Sequence, residues 1–99
     1  AFVFVAPERW NGVSLPASDQ YGLAALAYEL LTGRPPFQGT SERILKQMHQ
    51  TMQVQPPTAF NPKLPVAIND VLLRALARHP EDRFSSVSHF IEMLQRSVA

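Results

Sequence analysis

The chain has 99 residues, 45% of them apolar, with nine basic side chains against eight acidic ones and no cysteine. That length suffices for one small domain that buries roughly 60 to 65% of the surface its unfolded chain exposes, and the lack of cysteine excludes a disulfide framework or a thiolate metal site. A formal charge of +1, with both signs scattered, leaves no basic stripe and no acidic tail, so no nucleic-acid partner is expected.

The opening Ala1-Phe2-Val3-Phe4-Val5 has no basic residue before it and reads as the interior of a larger globular protein, not as a signal peptide. Along the chain no apolar run approaches the roughly 20 residues that cross a bilayer. No membrane segment is expected, and cytoplasmic placement fits.

Proline and glycine divide the sequence into four helical candidates joined in part by a Pro-rich connector, an all-α pattern. The first runs from about Asp19 to Leu31, with Ser18 as the expected N-cap and Gly33 before Pro35-Pro36 as the stop. Tyr21, Leu23, Ala24, Ala25, Leu26, Ala27, Tyr28, Leu30 and Leu31 cover nearly every face, the signature of a helix buried on all sides. A chain this short can hardly enclose it alone, so the neighbours that bury it are expected in the remainder of a larger domain. Without them the fragment is expected to dimerise, swap elements or aggregate.

The second candidate, about Ser41 to Met52, is amphipathic, with Ile44, Leu45, Met48 and Met52 on one stripe. Gln53 to Pro65 then carries Pro56, Pro57, Pro62 and Pro65, which forbid a continuous helix and predict an extended strap. The third candidate, about Val66 to Arg78, places Ile68, Val71, Leu72, Ala75 and Leu76 on one face. After His79-Pro80-Glu81-Asp82, the fourth runs from about Val87 to Ser97, with Ser86 as N-cap and Val87, Phe90, Ile91, Leu94 and Val98 on one face. His89 at N3 leaves no full capping box.

Four segments stand out in order: Ala6-Pro7-Glu8, Ser18-Asp19-Gln20-Tyr21-Gly22-Leu23, Tyr28-Glu29-Leu30-Leu31-Thr32-Gly33-Arg34-Pro35-Pro36-Phe37, and His79-Pro80-Glu81-Asp82-Arg83-Phe84. Together they resemble the large lobe of bacterial-type serine/threonine protein kinases from its Ala-Pro-Glu motif onward. The resemblance covers residues 1–99, which would make the chain a partial kinase domain from the substrate-pocket segment to the final helix. It implies that Glu8 and Arg83 form a buried ion pair, for which the planar fork of arginine suits a carboxylate better than lysine; by charge alone the two could equally be unrelated surface groups. It also implies that Asp19 accepts backbone hydrogen bonds from the catalytic loop, whereas a carboxylate near a helix start is also favoured simply by the helix dipole. Val3, Phe4 and Val5 fall where the family shapes the pocket for the substrate residue after the phosphorylated one, and could equally be an ordinary buried run.

Besides His89, which stands where an acidic residue is common, two positions depart from the family pattern. Phe4 stands where a tyrosine is usual, and Ala1 where these kinases usually carry a threonine that contacts the catalytic aspartate. The second departure points toward a weakly active parent or a pseudokinase whose lobe acts as a protein-interaction module, with the Ser41 to Met52 helix as its docking surface.

Phosphoryl transfer needs a Gly-rich loop, a lysine, a catalytic aspartate and metal-binding aspartate and asparagine residues. Their motifs do not occur here, so no catalytic, cofactor-binding or metal residue is assigned and the chain alone is expected to be inactive; ATP and Mg²⁺ are expected for the complete kinase, with a protein as its substrate. His49, His79 and His89 lie far apart, without metal-ligand spacing.

Overall fold

Proline opens four elements: Pro7, Pro16, Pro57 and Pro80 each begin a helix or a 3-10 turn, where a missing N–H costs nothing and the fixed φ is already helical. The computed structural model describes residues 6–12, 15–36 and 54–98. The expected helix at Ser41 to Met52 and the segment Val3 to Val5 lie outside the described residues.

Helix α1 spans Pro16–Thr32, α2 Ala67–Ala75 and α3 Val87–Val98, with 3-10 turns at Pro7–Asn11, Pro57–Ala59 and Pro80–Asp82. Among the described residues no strand occurs and no helix is long and apolar enough to cross a membrane. Helices α2 and α3 pack against each other and both pack on α1. The shared core holds Tyr21, Ala24, Ala25 and Tyr28 of α1, Ile68, Val71, Leu72 and Ala75 of α2, and Phe84 and Phe90 at the start of α3. Alanines at the centre of the buried α1 face let the other helices approach closely.

Helix α1 begins three residues before the expected start. Leu15, in extended conformation, takes the N-cap place, and Ser18 sits at N3, where its Oγ accepts from the Leu15 N–H at 3.1 Å. Ser18 is therefore the N3 partner in the first turn and not the cap. At the other end Gly33 adopts φ 82° and donates its N–H to Glu29 O at 2.8 Å, a left-handed cap that suits glycine.

As expected of a chain too short to enclose an all-round apolar helix, α1 is covered only in part. One stripe is buried, but Leu23, Leu26 and Leu30 are exposed, Leu30 by 77%, because the described residues pack on α1 from one side only. An open apolar groove of about 330 Å³, lined by Ala27, Leu30, Leu31, Ile68, Leu94 and Val98, borders that stripe.

The connector straps the end of α1 to α2. Tyr28 Oη donates to Gln55 O at 2.7 Å, Asn61 Nδ2 donates to Leu31 O at 2.9 Å, and Asn69 exchanges hydrogen bonds with Thr58 through both ends of its amide. Helix α2 ends at Ala75, short of the expected Arg78. Pro80 disfavours helix at His79, and the carbonyls of Ala77 and Arg78, just past the helix end, accept from Arg83. Ser86 caps α3 as expected, its Oγ accepting from His89 N–H at 3.0 Å.

Candidate functional site

The described residues converge on one polar cluster, built where the turn at Pro7–Asn11, the first turn of α1 and the loop before α3 meet. Its centre is Arg83, whose side chain is fully buried. Nη1 lies 2.7 Å from Glu8 Oε2 and Nη2 2.9 Å from Oε1, the bidentate fork that a guanidinium makes with a carboxylate. The remaining donors go to backbone: Nε to Ala77 O at 2.8 Å, Nη1 to Ala17 O at 2.9 Å and Nη2 to Arg78 O at 3.3 Å. All five N–H groups of the side chain are thereby used. Two of these acceptors, Ala77 O and Arg78 O, lie just past the end of α2, and the buried guanidinium supplies their donors.

Glu8 is only 10% exposed at its side chain. It gains a third bond from Ser18, whose Oγ donates to Oε2 at 2.6 Å. Burial pushes the Glu8 carboxyl up, but the hydrogen bonds from Arg83 and Ser18 outweigh it and hold the group below its ordinary value. The Arg83 guanidinium also stands over the Tyr21 ring, 4.9 Å from its centroid. Burial drives the Tyr21 phenol well above its usual range despite that neighbouring positive charge.

A second polar contact, not among the sequence expectations, ties the same pieces together. Gln20 is fully buried. Its Oε1 accepts from Phe84 N–H at 3.0 Å, while Nε2 donates to Phe84 O at 3.0 Å and to Ser86 O at 3.4 Å. One amide thus pairs both backbone groups of a buried residue, a role that suits a side-chain amide because it carries a donor and an acceptor side by side. The available signal was a glutamine inside an otherwise apolar helical run.

Glu8 and Arg83 are thus brought together, whereas Asp19 lies apart from them, exposed in the first turn of α1. His89 contacts the Phe84 ring edge-on at 5.2 Å and lies 3.3 Å from Ser85 Oγ. Among the described residues no three His, Cys, Asp or Glu side chains gather where a metal ion could bind. The arrangement performs no chemistry by itself; it clamps the first described residues, just after Val3 to Val5, onto the helical base.

No family model matches the chain. It is 38% identical over 97 residues to the serine/threonine-protein kinase Pkn1 of Myxococcus xanthus, covering 97% of this chain and 14% of that protein. To the serine/threonine-protein kinase PknB of Mycobacterium tuberculosis it is 37% identical over 86 residues, 86% of this chain and again 14% of the relative. The solved PknI kinase domain of Mycobacterium tuberculosis superposes with a TM-score of 0.75 at 33% identity, covering 95% of this chain and 34% of that domain. The chain therefore spans about one seventh of these curated relatives and one third of a solved kinase domain.

Proposed function

This chain corresponds to the C-terminal part of the large lobe of a bacterial-type serine/threonine protein kinase, and from that premise we propose that its parent transfers the γ-phosphoryl group of ATP to serine or threonine in proteins. In that enzyme, which we place in the cytoplasm, ATP and Mg²⁺ are held by other parts of the kinase domain. Within this segment, Asp19 receives backbone N–H groups of the catalytic loop and fixes its position, a role its exposure on the first turn of α1 permits. Val3, Phe4 and Val5 shape the pocket for the substrate residue that follows the phosphorylated one.

The observation that carries this reading is the Arg83–Glu8 pair, with N–O distances of 2.7 and 2.9 Å. It anchors the chain immediately downstream of the proposed peptide pocket to the same helical turn that presents Asp19. Positioning of this kind is the main contribution a protein makes to phosphoryl transfer.

The test is phosphate transfer from labelled ATP to a serine- and threonine-containing protein by the complete kinase. The account expects turnover in the wild type, a lower kcat for Asp19→Asn and a raised KM for the protein substrate with Val5→Asp. Absence of transfer at saturating Mg-ATP would instead favour a pseudokinase lobe that binds proteins, the reading to which Ala1, in place of the family's threonine, lends support.

A further inference from the structure

We propose that Gln20 is a positioning residue for phosphoryl transfer, acting through Asp19. The inference rests on the role proposed above for Asp19 and concerns how that residue is held. The first turn of an α-helix lacks internal partners for its N–H groups and is prone to fray. In α1, however, both chain neighbours of Asp19 are tied to distant parts of the chain. On one side Ser18 donates to Glu8 Oε2 at 2.6 Å. On the other, Gln20 grips Phe84 through its N–H and its carbonyl, both at 3.0 Å, and reaches Ser86 O at 3.4 Å.

Ser86 is itself the N-cap of α3, accepting from His89 N–H through Oγ. Gln20 therefore joins the turn that carries Asp19 to the start of α3. Its identity is informative. Burial alone would be met more cheaply by an apolar side chain, since a buried amide must find partners for every polar atom. Pairing with both backbone groups of one residue requires a side chain that donates and accepts at once, as the Gln20 amide does. Ionised glutamate lacks the donor, and methionine has no donor and only a weak sulfur acceptor. Asp19 stays exposed between two anchored neighbours, so its carboxylate can face another segment while its backbone is held still.

The experiment compares wild type, Asp19→Asn, Gln20→Met and the double variant in the complete kinase, measuring kcat, KM for ATP, KM for the protein substrate, and thermal melting. Assays run well below every melting temperature. Gln20→Met is expected to lower kcat at least about tenfold with both KM values unchanged, and the double variant to be no slower than Asp19→Asn alone. If Gln20→Met lowers the melting temperature but keeps the wild-type kcat while Asp19→Asn is slow, Gln20 only holds the fold together and the inference is overturned. Should Gln20→Met not fold, Gln20→Glu, which keeps an oxygen to accept from Phe84 N–H, takes its place under the same criteria. Equal turnover by wild type and Asp19→Asn would defeat the Asp19 reading itself and this inference with it, an outcome that the single Asp19 variant identifies.

Discussion

Glu8 and Arg83 stand 75 positions apart, yet Arg83 holds the Glu8 carboxylate at both oxygens, with 2.7 Å and 2.9 Å contacts. A pair so distant in sequence closes the described chain on itself. Removing either partner strands the other as a buried charge, which is why such pairs are far more costly to break than to replace as a unit.

The pair makes stability depend on acid pH. The Glu8 carboxyl is held below its ordinary value of 4.5, so over the interval between the folded and unfolded values the unfolded chain binds more protons. Stability from this group is fully present above the unfolded value and is lost as pH falls through the folded one. Urea midpoints of wild type and Glu8→Gln, measured from about pH 7 to about pH 3, should differ most near neutrality and converge below the ordinary carboxylate range. A gap that widens in acid would contradict the assignment.

Tyr28 is fully buried and its hydroxyl donates to Gln55 O at 2.7 Å. Tyr28→Phe keeps the ring in place and leaves one carbonyl short of a donor. A loss of about 1 kcal/mol is expected from denaturant unfolding. A neutral result would mean that the strap across the end of α1 is not held by this bond.

Gly33 sits at φ 82° with open space where a Cβ would stand. Any cost of Gly33→Ala therefore comes from the backbone alone, about 1 to 2 kcal/mol for a left-handed residue with a side chain. Asparagine, which tolerates that region better, should cost less. Equal stabilities for the three proteins would show that α1 does not end in this cap.

Leu23, Leu26 and Leu30 form an exposed apolar stripe on α1, and Val98 at the end of α3 is also exposed. Contiguous apolar surface of this kind drives association. Sedimentation of this chain should show dimers or larger species that recede when Leu26 and Leu30 are changed to glutamate. A clean monomer at high concentration would argue against the stripe as a sticky surface.

Much of this fold was legible in the sequence. The stripe Ile68, Val71, Leu72, Ala75 is the buried face of α2, and Ser86 caps α3, because amphipathic period and cap chemistry are local signals. The pairing of Glu8 with Arg83 followed only from the family resemblance, since charge and spacing gave no reason to join residues so far apart. At the start of α1 two local signals compete: Ser18 suits an N-cap, but Pro16 is the stronger start signal and places the serine at N3. Pro80 signals locally that α2 stops before His79, whereas the exact end at Ala75 accompanies tertiary bonds from Arg83 to the carbonyls of Ala77 and Arg78. Gln20 was invisible for a similar reason: its polarity suggests solvent, and only tertiary contact with Phe84 explains its burial.

The most direct test of the clamp is urea unfolding of this chain followed by circular dichroism, comparing wild type with Arg83→Ala and Arg83→Lys. The account predicts a cooperative helical transition that loses about 3 to 5 kcal/mol in Arg83→Ala, with only partial recovery by lysine, which cannot form the fork or serve the backbone carbonyls of Ala77, Ala17 and Arg78 together. An Arg83→Ala protein that unfolds at the wild-type midpoint would contradict it, because a guanidinium buried against Glu8 cannot be removed without cost.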